Sequence, residues 1–416
     1  MDSRTGSEMS PNEFVKILRT CNGGMAIYVH LPFCTTPGVV CTEHSRLAQD
    51  ESEMNHYLIN LKREMGRVTL LLDSKPVLTQ LHLGGGTPNY LSEPQLMRLM
   101  DTIEAYFEIS AATEMSLDAS ARRSSRTQLE LLHGLGFRNI SYKANDLSAS
   151  IEQTFSRLDS FEILQDVFSN TREAGLKTIS MDLAYGLPEQ SIADITDRLQ
   201  QIKILSPDRV SCHSYTAKAE TFGHHNLAGQ DAIPSLADRL VMFNTIAEFM
   251  QAEGYEWVGL DYFAKSTDTI AEAHQQQRLH RNVIGYNTHG CPNTLGFGTR
   301  AVSDIGSRAI TKNHNSIQSW HAALQRAEFP MQSGILLSED EASQRRAMQD
   351  LLCNLQVDDY TQLAYDETSA SRVRELEAAG VLQITDDKAV VTEQGRFALH
   401  HTVIEHSLLT PWRLAV

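Results

Sequence analysis

The stretch AIYVHLPFCTTPGVVCTEHS, residues 26–45, decides the fold, because a short apolar strand runs directly into a loop that carries two cysteines. The stretch LHLGGGTPNYLSEPQL, residues 81–96, repeats this plan with a second strand, a triple-glycine loop and a helix start. A strand, a polar loop and an amphipathic helix in succession form the unit of a parallel α/β fold. In such folds the chemistry lies at the carboxyl ends of the strands.

The same unit recurs along the chain, each time with a glycine between helix and strand. Gly136, Gly175 and Gly254 follow amphipathic helices and precede β-rich runs such as RNISY (138–142) and KTISMDL (177–183). Glycine readily takes the left-handed conformation that ends a helix. Repeated βα units of this number predict a parallel sheet that curls into a full or partial barrel.

The pattern changes after about residue 330. Ser338 and Glu341 are spaced as a helix cap, a second helix ends at Gly380, and VLQITDDKAVVT (381–392) has the pattern of a hairpin. This order predicts a small winged-helix-like α+β domain, which we interpret as a cover or docking module. We therefore divide the chain into an N-terminal extension (1–23), a barrel (24–235), a barrel-completing region (236–330) and a C-terminal domain (331–416).

Composition limits the classes of partner. A formal net charge of -16 disfavours nucleic acid, because phosphate contacts require clustered lysine and arginine. The six cysteines lack the dense spacing of a secreted disulfide framework, and the N-terminal stretch MDSRTGSEMSPNEF lacks the features of a signal peptide. We expect a cytoplasmic protein with reduced thiols that binds a small molecule or a protein and neither nucleic acid nor a membrane.

The two loops contain the residues most suited to chemistry. Cys34, Cys41, Glu43 and His44 share one loop, where thiolates could hold a metal; the alternative is two ordinary buried cysteines. The glycines at 84–86 leave backbone open to a carboxylate or ammonium group, or simply form a tight turn. No lysine follows them in the Walker pattern, which disfavours a nucleoside triphosphate.

Together these motifs resemble the radical SAM superfamily: a cysteine loop after the first strand, GGGTP after the second, Asp118 in the third and Asn145 after the fourth. The segments SMDLAYGLPEQS (180–191) and LHRNVIGYNTHG (279–290) are similar to the HemN-like branch that contains oxygen-independent coproporphyrinogen III oxidase. The resemblance runs from about Ala26 into the C-terminal region. It implies an α/β fold with a partial, TIM-like (β/α)6 barrel.

The resemblance also implies cofactors. In this family a C-x-x-x-C-x-x-C loop supplies three thiolates to a [4Fe-4S] cluster, which binds S-adenosylmethionine and cleaves it to a radical. Eight positions of this chain correspond to S-adenosylmethionine contacts of the family: Tyr28, Gly84, Gly85, Gly86, Asp118, Asn145, Arg157 and Asp182.

The chain departs from the family pattern at the cluster itself. Cys34 and Cys41 match the first and third ligand positions, but Gly38 occupies the middle one. Asp118 and Asn145 are each one methylene shorter than the family's glutamate and glutamine. We therefore expect a divergent member with a degenerate motif, without the standard cluster and without radical catalysis, which acts as a pseudo-enzyme in binding or regulation.

Three alternatives remain open. The protein could be an active coproporphyrinogen III dehydrogenase-type enzyme with His44, Glu43 or a distant cysteine as the third cluster ligand. It could hold zinc through Cys34, Cys41 and His44. It could also be a haem- or tetrapyrrole-binding chaperone, since His280, Arg281 and His289 place cations where propionates could bind.

Overall fold

Parallel strands in consecutive order form the centre of the protein in the computed structural model, which describes residues 6–34, 46–47, 51–142, 161–215 and 233–397. Each strand pairs with the next along the chain, as repeated βα units require. The predicted parallel barrel-like α/β fold is confirmed. These strands are β2 (Met25–Leu31), β5 (Leu78–Gly85), β6 (Glu114–Ala119), β7 (Asn139–Tyr142), β8 (Thr178–Tyr185) and β9 (Arg209–Ser214).

In the described part of the chain, further strands extend this sheet at both edges to 13 strands. Beyond β2 lies β14, which is parallel to it, and beyond β14 the strands β15, β16, β17 and β1 continue in antiparallel pairing. Beyond β9 lie β11 and β10, also antiparallel. The bounds are β1 (Ser7–Glu8), β10 (Tyr255–Val258), β11 (Tyr262–Lys265), β14 (Asn293–Phe297), β15 (Val302–Ile305), β16 (Ala309–Asn313) and β17 (Met331–Leu336).

Most of the helices bury one face against the sheet in a common apolar core. Within the described ranges none of them is both long and apolar enough to cross a bilayer. Their bounds are α1 (Pro11–Thr20), α2 (Glu51–Thr69), α3 (Glu93–Tyr106), α4 (Arg126–Gly134), α5 (Phe161–Glu173), α6 (Ile192–Leu205), α7 (Leu236–Ala252), α8 (Thr269–Gln275), α9 (Ile317–Gln325), α10 (Glu339–Asn354) and α11 (Glu367–Ala378).

The helix ends follow the local chemistry of the sequence. Gly136, Gly175 and Gly254 have φ values of 102°, 93° and 84°, which confirms their left-handed conformation after a helix. The backbone N–H of Ser92 donates to Oε1 of Gln95 at 3.0 Å in the capping box at the start of α3. Helix α2 ends at Thr69, and the next residue, Leu70, is 85% exposed.

The C-terminal elements have their own apolar cluster. Helices α10 and α11 pack on a three-stranded sheet of β18 (Gln356–Val357), β20 (Lys388–Val391) and β19 (Leu382–Thr385). The order of helix, helix and hairpin follows the sequence pattern, whereas β17 still belongs to the large sheet. The predicted division into four regions stays a prediction.

A buried ion pair joins α10 to the large sheet. The guanidinium of Arg345 on α10 contacts both carboxylate oxygens of Asp304 on β15, with Nη1 to Oδ1 at 3.0 Å. Both side chains are buried. Such a pair is costly to break, because removing one partner leaves an uncompensated charge inside the protein.

Replacement of Arg345 by alanine should therefore lower the free energy of unfolding by about 3 kcal/mol, measured by urea denaturation. Arg326→Ala is the matched control, since Arg326 pairs with Glu328 on the surface, and it should change stability little. Equal effects of the two variants would contradict this interpretation of the pair.

Candidate functional site

A cavity of about 630 Å³ lies inside the curved sheet. Alternate residues of the parallel strands point into it, such as Ser116 and Asp118 on β6 and Ser211 and His213 on β9. Small and charged side chains at these positions leave space that a filled barrel core would not have. The interior is therefore suited to binding a polar ligand.

A group of aromatic and polar side chains lines the cavity around His82. Its ring stacks on Tyr28 with ring centres 5.8 Å apart and an interplanar angle of 12°. Its Nδ1 lies 2.8 Å from Oγ of Ser116, and its Nε2 lies 3.5 Å from Oδ1 of Asp118. The Tyr28 hydroxyl in turn lies 3.0 Å from Nδ1 of His30, and burial raises the pKa of Tyr28, so this hydroxyl stays neutral.

Sequence reasoning identified Tyr28 and Asp118 but missed His30, His82 and Ser116. A signal was present, because in a strand residues two apart lie on the same face. His30 follows Tyr28 by two positions, and His82 precedes Gly84 by two. Applying this two-residue alternation to Tyr28 and Gly84 would have identified His30 and His82.

The triple-glycine loop is needed for packing against β2. The N–H of Gly86 donates to the carbonyl oxygen of Leu31 at 2.8 Å, and the N–H of Thr87 donates to that of Phe33 at 2.7 Å. A Cβ on Gly86 would lie 2.3 Å from the oxygen of Phe33. Gly85 has a φ of 103°, and a Cβ there would meet the ring of His30 at 2.7 Å. These glycines thus fix the backbone just before the cysteine loop.

Asp182, which was predicted from the resemblance together with Asp118, also faces the cavity. Oδ1 of Asp182 on β8 lies 4.0 Å from Nε2 of His213. The same Nε2 lies 2.9 Å from Oγ of Ser211. Asp118 and Asp182 therefore give one wall of the cavity two carboxylates, one on β6 and one on β8.

An ion-pair network closes the cavity at the amino ends of the strands. Glu114 accepts a hydrogen bond from Nδ2 of Asn139 at 3.0 Å and lies 3.1 Å from Nε2 of His289. Arg209 lies 3.9 Å from Glu114 and 2.9 Å from Asp268. Burial alone would raise the pKa of Glu114, but the hydrogen bond from His289 and the charge of Arg209 lower it. The same hydrogen bond raises the pKa of His289.

Several predicted residues lie outside the described ranges: Gly38, Cys41, His44, Asn145 and Arg157. Cys34 lies in β3 (Phe33–Cys34), which pairs with β4 (Arg46–Leu47). The structure therefore brings together Tyr28, Gly85, Asp118 and Asp182 around the cavity, with Gly84 and Gly86 beside it. In the described part of the chain no three His, Cys, Asp or Glu residues are grouped so that they could hold a metal.

The remaining four cysteines lie away from Cys34. The Cys291 thiol donates to the carbonyl oxygen of Gly24 at 2.8 Å, and Cys21 precedes the same segment, so both lie at the amino end of β2. Cys212 is buried on the face of β9 that points away from the cavity. Cys353 is buried on α10 in another apolar cluster. Cys34, in contrast, follows the carboxyl end of β2.

Gly86→Ala should lower the free energy of unfolding by about 1–3 kcal/mol, because its Cβ would overlap the Phe33 carbonyl. Gly134→Ala is the control: it ends α4, and an added Cβ there meets nothing within 4 Å. That change should be neutral or stabilising by up to about 1 kcal/mol. Equal destabilisation by both substitutions in urea denaturation would argue against the close approach.

The Glu114–His289 pair should make stability depend on pH. The lowered pKa of Glu114 gives stability that is lost in acid, and the raised pKa of His289 gives stability that is lost as pH rises through that pKa. His289→Ala should therefore destabilise the protein more at about pH 5.5 than at about pH 9. Urea denaturation at both values tests this; an equal penalty would contradict the assignment.

Sequence comparison identifies relatives that match most of this chain. No family model matches the chain. It is 29% identical to the oxygen-independent coproporphyrinogen III oxidase of Synechocystis sp. over 412 residues, which is 95% of this chain and 88% of that protein. It is also 29% identical to the Escherichia coli protein of the same name over 334 residues, covering 80% and 73% of the two chains.

The fold extends this similarity over nearly the whole chain. The solved structure of coproporphyrinogen III oxidase (HemN) from Escherichia coli, described as a radical SAM enzyme, superposes with a TM-score of 0.89 at 26% identity. The superposition covers 97% of this chain and 95% of that one. Sequence similarity and fold similarity cover the same length, and together they support the HemN-like radical SAM family for this chain.

Proposed function

We propose that this protein is a HemN-like pseudo-enzyme, which binds S-adenosylmethionine or a tetrapyrrole in the barrel cavity and acts in binding or regulation. The observation that carries the proposal is the shortage of thiolates near Cys34. The cysteine loop offers Cys34 and Cys41 with Gly38 between them, and a cube held by three cysteines needs one more.

The positions of the other cysteines support this proposal. Cys21 and Cys291 lie at the opposite end of β2, and Cys212 and Cys353 are buried in apolar surroundings. Burial raises the pKa of Cys353 to about 12 and that of Cys21 to about 11, which keeps these thiols protonated. The cysteines present therefore do not fit the standard cluster.

The cavity fits S-adenosylmethionine better than it fits the cluster. The carboxylates of Asp118 and Asp182 face a space that could receive an ammonium and a sulfonium, and the hydroxyl of Tyr28 adds a neutral polar group. Bound S-adenosylmethionine would supply its sulfonium as the reactive group of the family. Asp118 is already paired with His82, so the cofactor would share that carboxylate.

A second candidate function is active coproporphyrinogen III oxidation. Its support is the coverage of the relatives of that name, which extends through 95% of this chain. It requires His44 or Glu43 as the third cluster ligand, which is chemically reasonable for iron–sulfur sites. Single-turnover formation of 5′-deoxyadenosine, abolished in His44→Ala, would favour this function over the pseudo-enzyme.

Anaerobic reconstitution with iron and sulfide tests the primary proposal directly. The native chain should stay colourless with iron and sulfide well below one cluster per chain, because one thiolate is lacking. Gly38→Cys restores the middle ligand position and should give a brown, reducible product. Gly38→Cys combined with Cys34→Ala is the matched control and should lose the colour again. A stoichiometric, redox-active cluster in the native protein would overturn the proposal.

A further inference from the structure

We propose that His56 on α2 and His321 on α9 form a binding site for one divalent transition-metal ion such as Zn²⁺, with water completing its coordination. The pair does not belong to the residues that line the barrel cavity. It also uses no residue of the cysteine loop, so the inference is independent of the proposed function. Sequence motifs gave no indication of it.

The two imidazole rings lie at a distance that suits one shared ion. Their centres are 5.3 Å apart, and their planes are inclined at 49°. Zinc lies about 2.0–2.1 Å from an imidazole nitrogen and prefers tetrahedral geometry, which would place the centres of two coordinating rings about 5 Å apart. The separation of the rings therefore matches a site to which each ring contributes one nitrogen.

Nε2 of His321 is a buried nitrogen that the described part of the chain leaves without a hydrogen-bond partner. Within the same ranges no hydrogen bond joins its ring to that of His56, although the two rings are neighbours. A buried imidazole nitrogen without a partner is unfavourable in either tautomer, because a lone pair then lacks a donor or an N–H lacks an acceptor. A metal ion bound to the lone pair of Nε2 would remove this cost.

Buried aromatic contacts hold the two histidines opposite each other. Tyr57 follows His56 on α2, Trp320 precedes His321 on α9, and the ring centres of Tyr57 and Trp320 are 4.6 Å apart. Both aromatic residues are buried, and the indole N–H of Trp320 donates to Glu64 of α2 at 3.1 Å. The backbone that carries the two imidazoles is thus fixed before an ion binds, which lowers the entropic cost of binding.

Ligand type and exposure restrict the kind of ion that the pair binds. Imidazole nitrogen suits zinc, copper, nickel and iron, whereas magnesium and calcium prefer oxygen ligands. His56 is exposed, so its ring can turn to admit an ion and water can occupy the remaining coordination positions, while His321 is half-buried. The bound ion joins α2, the helix that follows the cysteine loop, to α9, the helix between β16 and β17.

Calorimetric titration of the full-length, chelator-treated protein with Zn²⁺ tests the site. The native protein should bind one equivalent that His56→Ala binds at least about tenfold more weakly, because one of two protein ligands is lost. Zn²⁺ should also raise the thermal unfolding temperature of the native protein more than that of His56→Ala, because an ion that binds only the folded state stabilises it. His133→Ala, which removes a half-buried histidine of α4, is the matched control and should behave as the native protein does.

A second variant separates the histidine pair from the cysteine loop. Cys34→Ala should keep the equivalent of Zn²⁺ that His56→Ala loses, since the pair contains no thiolate. Equal Zn²⁺ affinity of the native protein and His56→Ala would overturn the site, and so would loss of that equivalent in Cys34→Ala or absence of Zn²⁺ binding by the native protein. Without metal, His56→Ala should unfold at the native temperature because the side chain is exposed, which separates loss of binding from loss of fold.

Discussion

The close approach of Gly86 to the carbonyl of Phe33 is the constraint on which the site depends. Hydrogen bonds from Gly86 and Thr87 continue the pairing of β5 with β2 past the end of the regular strand. A side chain at that position would be strained, because its Cβ would lie 2.3 Å from the carbonyl oxygen of Phe33. The backbone entering the cysteine loop is therefore held by its neighbour strand, whatever the loop itself binds.

The polar lining of the cavity comes from two parts of the large sheet, the parallel strands and the antiparallel extension. The parallel strands contribute carboxylates, imidazoles and hydroxyls at every second position, as strand geometry requires. The segment from β14 to β16 contributes the cations Arg300 and Lys312, and Glu64 accepts hydrogen bonds from Gly298 and Asn313 in the same segment. The cavity thereby has an acidic wall and a basic wall, which gives a ligand with mixed charge a preferred orientation.

Local chemistry made much of the fold predictable. Gly136 and Gly175 mark helix ends because each acts through neighbours within a few residues. Tyr28, Asp118 and Asp182 were predicted from the resemblance, and they do line the cavity. Arg300 and Lys312 could not be predicted, because the pairing of β14 with β2 joins residues more than 260 positions apart. Asn145, Arg157 and Cys41 lie outside the described residues.

Two residues of α10, one helical turn apart, contact segments that line or adjoin the cavity. Arg345 contacts Asp304 on β15, and Nε2 of Gln349 donates at 3.2 Å to the carbonyl oxygen of Arg281, whose side chain lines the cavity. A fragment cut before Ser338 would lose both attachments and leave the Asp304 carboxylate without its counter-ion. A fragment of the barrel that keeps Asp304 paired must therefore extend through α10.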